Sequence, residues 1–327
     1  MMSFEYTAVI RTLGTAGEKY QQLLDSLQAQ TIAPQAIIIY IAVGYPLPKE
    51  TIGTERYVRV KKGMVAQRAL PYDEVETEWM LFLDDDVYLP PQAVETLYKQ
   101  IQENDGDVIS PCVFSNHRVS WKSKIRGTLL GREVCRVHGN YWGYKVLPTA
   151  GFSYNNHPTK AVYESQSNSG PCFLCKKKDF LLINYHEESW LDNTPYAFPE
   201  DQVMFFKMYL MGLRLLTSFS SGIVHLDAST TVNVQEEKTL NIIYSEYRNK
   251  LIFWHRFLFA PEKGILRKTY NLLAICYAYG IQFLKFWLQY ILGNKKSYPV
   301  FMQAVHDARL YLKSDEYKRL SPIVRKR

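Results

Sequence analysis

Residues 79–87 read Trp-Met-Leu-Phe-Leu-Asp-Asp-Asp-Val, an apolar run that ends in three consecutive carboxylates. A short apolar run without alternation fits a strand buried on both faces of a parallel sheet. Three adjacent aspartates repel one another unless a cation offsets them. In open α/β sheets the carboxyl ends of the strands are also where ligands bind. Asp84 and Asp86 are therefore expected to serve one ligand set, one carboxylate orienting a nucleotide ribose and the other holding a metal. Hard oxygen donors suit Mg²⁺ or Mn²⁺, and Mg²⁺ commonly shares carboxylates with substrate phosphates. The plainer alternative is a solvated turn ahead of the helix that Pro90 and Pro91 open. The apolar run in front of the aspartates argues against it.

Outward from that strand the pattern alternates. Residues 6–10 and 36–43 read as further strands, and 18–30 as an amphipathic helix with Tyr20, Leu23, Leu24 and Leu27 on one face. A short helix is predicted over 64–70, another over 92–103, and a strand from 108 to 110. Strands alternating with helices predict an α/β fold with a mostly parallel sheet wrapped on both faces. Residues 115–165 break the rhythm, which marks a functional insert. Within it Trp121, Tyr141, Trp142 and Tyr144 are candidate platforms for sugar rings, or aromatics packed on the domain beneath. Regular structure resumes at 171–175, 201–211 and 214–218.

Composition sets limits. The chain has 327 residues, 47% hydrophobic and 14% aromatic, which excludes disordered and collagenous classes. That length suits one large α/β domain plus an appendage: a catalytic domain over 1–235 and a helical extension over 236–327. No apolar signal-peptide core follows Met1, so a cytoplasmic location is expected. Five cysteines form no framework. Cys172 and Cys175 make a CxxC, but no second CxxC or HxxxH accompanies it, so buried free thiols are expected rather than a zinc or redox site.

Charge is unevenly spread. Residues 261–327 hold 13 Lys/Arg against 4 Asp/Glu, although the whole chain is only +7. A basic tail attracts anionic lipid or nucleic acid. Nucleic acid is not expected, because the basic residues are interleaved with a long apolar stretch. Residues 240–259 are predicted helical. Residues 270–292 could span a bilayer by length, yet Lys285 at depth costs about 2.5–3.5 kcal/mol. Gln282, Lys285 and Gln289 share one helix face, so a helix lying in the membrane surface is expected, with peripheral contact through 265–327 at the cytoplasmic face. The alternative is a helix packed on the domain with that polar stripe in water.

Two further sites carry chemistry. Glu200-Asp201 precede a helix, where a carboxylate caps or acts as a general base. His225 closes a strand-like run, and imidazole joins carboxylates in transition-metal sites.

In order, these segments resemble family 2 glycosyltransferases of the GT-A fold over roughly residues 6–230. Ser26-Leu27, Gln30-Thr31 and Pro34, then Ile37-Ile38-Ile39, are similar to the opening helix and second strand. Ala66-Gln67-Arg68 is similar to the Ala-Arg-Asn region, Phe82-Leu83-Asp84-Asp85-Asp86 to the DxD motif, and Ser169-Gly170-Pro171 to the turn before the acceptor strand. Glu200-Asp201, with Gly212-Leu213-Arg214 a helix later, is similar to the ED motif. The resemblance implies Asp86 and His225 on Mn²⁺ or Mg²⁺, and Asp201 (beside Glu200) as the base. It further implies Thr12, Arg68, Asp84, Asp85 and Gly170 around the nucleotide-sugar. It implies transfer from a nucleotide-diphosphate sugar to a saccharide or lipid-linked saccharide acceptor in a single displacement with inversion. Two departures stand out. Ile41-Ala42-Val43-Gly44 replaces the acidic segment that helps read the base, and Ala69 replaces the asparagine after Arg68. A metal-dependent nucleotidyl or phosphoryl transferase is the competing enzyme, without a P-loop here. A non-catalytic sugar-binding or membrane scaffold protein is the competing non-enzyme.

Overall fold

The computed structural model describes residues 4–113, 120–129, 142–155, 157–226 and 236–326. The chain first builds β1 (Tyr6–Thr12), α1 (Glu18–Gln28), β2 (Ala36–Ala42), β3 (Glu55–Val60), β4 (Trp79–Asp84), β5 (Val87–Tyr88), α2 (Ala93–Glu103) and β6 (Val108–Pro111). The insert follows, with α3 (Trp121–Leu129), β7 (Tyr144–Val146), β8 (Phe152–Tyr154) and β9 (Val162–Ser165). Then come β10 (Cys172–Lys176), α4 (Lys177–Leu182), a 3₁₀ segment (Tyr185–Asn193), α5 (Glu200–Leu210), β11 (Leu215–Ser218) and β12 (Val224–His225). Helices close the chain: α6 (Glu236–Phe253) running into a π-helical turn (Trp254–Phe259), α7 (Ile265–Ile291), α8 (Ser297–Lys313) and α9 (Asp315–Arg319).

Eight strands form one sheet in the order β3-β2-β1-β4-β10-β6-β11-β9. Pairing is parallel from β3 to β4 and between β6 and β11, and antiparallel where β10 and β9 join. Successive strand side chains point to opposite faces, so each central strand feeds two cores. Ala8, Ile10, Ile39, Leu81 and Leu83 pack with Leu23, Leu24, Val94 and Leu97 on one face. Val9, Ile38, Tyr40, Met80 and Phe82 pack on the other with Phe205, Phe206, Phe253, Phe257 and Ile275. Burial on both faces is why these strands read as unbroken apolar runs. The second core also shows that the C-terminal helices share packing with the sheet. Cys172 and Cys175 fall in opposite cores, buried and free. Cys135 and Tyr141 lie outside the described residues.

Local differences from the sequence reading have simple causes. β3 reads Glu-Arg-Tyr-Val-Arg-Val, a partly exposed edge strand with too many charges to stand out. Residues 64–70 form hydrogen-bonded turns rather than a helix, with Gln67 N–H donating to Gly63 O at 2.9 Å and Ala69 N–H to Val65 O at 2.7 Å. The Asp192 carboxylate holds that segment instead, accepting from the N–H groups of Val65 (3.1 Å) and Ala66 (2.9 Å).

The polar stripe of α7 faces inward. Gln282 is buried and its Oε1 accepts from the Tyr247 hydroxyl at 2.9 Å. Lys285 and Gln289 flank it, half-buried, beside the buried Ile275, Ala278 and Phe286, while Leu273, Tyr277, Leu284 and Trp287 of the same helix are exposed. That corrects the expectation that a packed helix here turns its polar stripe to water. Among the described residues no helix is long and apolar enough to cross a membrane.

Candidate active site

The sheet brings the acidic strand tip to its ligand edge. Asp84 N–H donates to Pro171 O at 2.8 Å, so the turn leading into antiparallel β10 lies beside the end of β4. β5 and β12 pair as a two-stranded ribbon with His225 opposite Val87, and Leu226 N–H donates to Asp86 O at 2.8 Å. That ribbon sets His225 Nε2 3.0 Å from Asp86 Oδ2.

Beside this pair lies a mixed-charge network. Arg11 grips both oxygens of Asp84 (2.5 and 3.1 Å) and reaches Glu200 Oε1 at 3.1 Å. Arg68, buried, donates through Nη1 to Glu200 (2.9 Å) and Asp201 (2.7 Å), and through Nη2 to Gly170 O (2.7 Å). Gly170 N–H donates to Asp201 Oδ2 at 2.9 Å. A Cβ at Gly170 would collide with the Asp201 carboxylate and sit 2.8 Å from Arg68 Nη1. Only glycine lets the turn approach so closely. Thr12 donates its hydroxyl to Asp85 Oδ2 at 2.5 Å.

These groups titrate unequally. Burial would raise Asp84, but Arg11 and Arg68 outweigh it and hold that carboxyl below the usual range. Burial pushes Asp85 up to about 6, with Asp84 and Asp86 adding to the rise. Burial pushes Glu200 up to about 7, assisted by Asp201 and Asp84 and opposed by Arg68 and Arg11.

One cleft of about 890 Å³ joins the parts, with Arg11, Asp84, Glu200, Asp201 and His225 among its walls. The sequence reading named the last four of these; Thr12 and Arg68 lie buried beneath the cleft, Thr12 O accepting from Gln67 and Arg68 donating to Asp201, both of which line it. Asp201 Oδ1 and Asp84 Oδ1 are bridged by the Arg68 guanidinium, at 2.7 and 3.4 Å. Asp86 and His225 offer an oxygen and an imidazole nitrogen at one point, a donor pair that fits Mn²⁺ or Mg²⁺ completed by phosphate and water. Among the described residues no cluster of three or more His, Cys, Asp or Glu side chains makes a metal cage by itself. Of the candidate aromatics, Tyr144 reaches the cleft, Trp142 packs edge-on against Tyr209, and Trp121 projects from α3. Arg11, Asp192, Phe152, Tyr196 and Phe198 line the cleft unannounced by any motif. Ile242, Glu246 and Lys250 of α6 complete the wall, so the C-terminal helices help shape the site.

Residues 56–154 match the family model described as Glycosyl transferase family 2. The match spans under a third of the chain and includes the acidic strand tip, and it marks the protein as an enzyme of the glycosyltransferase type. Among solved structures the chain is similar to S. aureus TarS 1-349 in complex with UDP-GlcNAc, at 12% identity and TM-score 0.48, covering 93% of this chain and 80% of that one. It is also similar to GalNAc-T7 with UDP, GalNAc and Mn²⁺, at 11% identity and TM-score 0.48, covering 83% and 55% respectively. Likenesses of this degree assign no substrate. No curated protein matches the chain.

Proposed function

We propose that the cleft binds a nucleotide-diphosphate sugar at the tip of β4 and transfers the sugar, with inversion, to an acceptor hydroxyl beside Asp201. One observation carries this reading: far from β4 in sequence, His225 contacts Asp86 of its acidic tip and Asp201 is bridged to Asp84 by Arg68, with Asp84, Asp201 and His225 lining a single cleft.

Asp86 and His225 would hold Mn²⁺ or Mg²⁺, which when bound offsets negative charge on the diphosphate. The chain's own side chains do the rest. Asp84 Oδ1 accepts from Arg11 and Arg68, whereas Oδ2 accepts from Arg11 and keeps room for a ribose hydroxyl, since each carboxylate oxygen accepts twice. Thr12 and Asp85 brace the loop beside it. Arg68 and the Gly170 N–H each hold one oxygen of Asp201, fixing its aim into the cleft. Asp201 takes the acceptor proton as the acceptor oxygen bonds to the anomeric carbon. The bond from that carbon to the phosphate oxygen breaks, and the nucleoside diphosphate leaves with the electron pair. A single displacement of this kind inverts the anomeric centre. Glu200 positions both arginines without touching the reacting atoms. Phe152, Tyr196 and Phe198 suit the apolar face of a saccharide ring. The acceptor we favour is a saccharide or lipid-linked saccharide of cell-surface polysaccharide or glycolipid synthesis.

The test is release of nucleoside diphosphate from UDP-, GDP- and dTDP-sugars with Mn²⁺. Metal-dependent release from one donor, lost in Asp86→Ala, supports the reading. Release of monophosphate or pyrophosphate would point to phosphoryl or nucleotidyl transfer. Donor binding with no turnover under any acceptor would point to a sugar-binding protein.

A further inference from the structure

α7 buries two amides along its inward stripe and leaves most of its large apolar side chains outward. Its buried stripe is Asn271, Ile275, Ala278, Gln282 and Phe286. The buried amides are partnered: Asn271 Nδ2 donates to Leu258 O at 2.8 Å, and Gln282 accepts from Tyr247 at 2.9 Å. The outward stripe carries Tyr270, Leu273, Tyr277, Leu284, Trp287 and Ile291, with Leu273 63% and Ile291 59% exposed. Single exposed apolar residues need no explanation, but a contiguous row several turns long does.

A second helix extends the row. Trp121, Ile125 and Leu129 recur every four residues along α3, and all three are exposed. They line one shallow hollow with Lys122, Arg126 and Lys285, and the Tyr277 hydroxyl donates to Leu129 O at 2.9 Å. The two helices therefore present one surface although the sequence separates them widely. Its rim is basic: Lys263, Arg267 and Lys295 at the ends of α7, and Lys122 and Arg126 on α3, are all exposed. No acidic residue occurs from 263 to 306.

We propose that α7 and α3 together form a docking surface for an anionic lipid bilayer. The aliphatic and aromatic row enters the boundary between headgroups and acyl chains, where Trp and Tyr favour residence. The basic rim meets the negative surface potential. Charge also selects against a second copy of this chain, because an isologous pairing of the face would press two basic rims together. The proposal stands on these two helices alone and holds whatever the cleft transfers.

The test is co-flotation of the full chain with vesicles of phosphatidylcholine, with or without phosphatidylglycerol. The wild-type chain is expected to float with the anionic vesicles and to release as salt is raised. Leu273→Glu combined with Trp287→Glu should cut partitioning about tenfold or more with an unchanged Tm, since both side chains face outward. Lys122→Glu with Arg126→Glu should remove the preference for anionic vesicles while leaving nucleoside diphosphate release intact. Three results would overturn the proposal: no flotation with either vesicle, flotation by the Leu273→Glu, Trp287→Glu variant equal to wild type, or a concentration-dependent dimer that those substitutions dissolve.

Discussion

Two buried charge clusters sit on either side of the start of α5, and they are built on opposite principles. At the cleft, Asp84, Glu200 and Asp201 share two arginines, Arg11 and Arg68. Within the 3₁₀ segment, Glu188 is fully buried and held by Lys207 at 2.7 Å and Arg256 at 2.8 Å, with Glu187 at their edge. Burial would raise Glu188, but Lys207 and Arg256 outweigh it and keep the carboxyl low. Glu200 lacks that balance and is pushed up to about 7. Matched charges in a closed setting make a clasp between the 3₁₀ segment, α5 and the C-terminal helices. An excess of carboxylates, partly open to a cleft, leaves acids whose charge depends on pH and on what enters.

The largest contrast should come from cutting each cluster once. Asp201→Asn is expected to lose ~10²–10⁴-fold in transfer rate, the usual contribution of a positioned base, with donor affinity and Tm near wild type. Steady-state kinetics beside donor titration would check it; a matching loss of donor binding would make Asp201 structural. Glu188→Ala should do the reverse. It strands Lys207 and Arg256 in the interior, a loss of about 3–5 kcal/mol, visible in urea unfolding, with little change in donor specificity. Equal stability for the two variants would erase the distinction.

Gly170→Ala comes next. Its methyl group meets Asp201 and Arg68, so turnover should fall by roughly tenfold or more as the base is displaced. Stability should fall less than in Glu188→Ala. The smallest effect is a pH dependence. The folded-state pKa of Glu200 stands above its ordinary value of 4.5, so the folded chain binds more protons than the unfolded chain between that value and about 7. The resulting stability is full below 4.5 and lost as pH rises through 7. It amounts to at most roughly 3 kcal/mol. Glu200→Gln should flatten this loss across a Tm series from acid to neutral pH. A parallel decline in both proteins would place the ionisation elsewhere.

The sequence reading reached β1, β2 and β4 because each is a local pattern, and joined Asp86 to His225 through the family resemblance. A buried strand is an apolar run, and an acidic tip is visible in one glance. Arg11 was not legible: one arginine in a strand looks like an edge residue until Asp84 and Glu200 are seen around it. Asp192 and the aromatic wall of Tyr196 and Phe198 lie in an irregular stretch without periodicity. The polar stripe of α7 was legible as a stripe, but a period of three and four residues tells which side chains share a face and never which way that face turns. Its partner α3 lies in the insert, where Trp121, Ile125 and Leu129 repeat every four residues over a stretch too short to stand out from the irregular sequence around it.

Calorimetric titration of UDP-, GDP- and dTDP-sugars into the protein, with and without Mn²⁺, tests the central claim most directly. One donor should bind in a metal-dependent manner, and the metal dependence should disappear in Asp86→Ala while the fold keeps its Tm. Donor affinity unchanged by Mn²⁺, or unchanged by loss of the Asp86 carboxylate, would contradict a sugar nucleotide seated at the tip of β4.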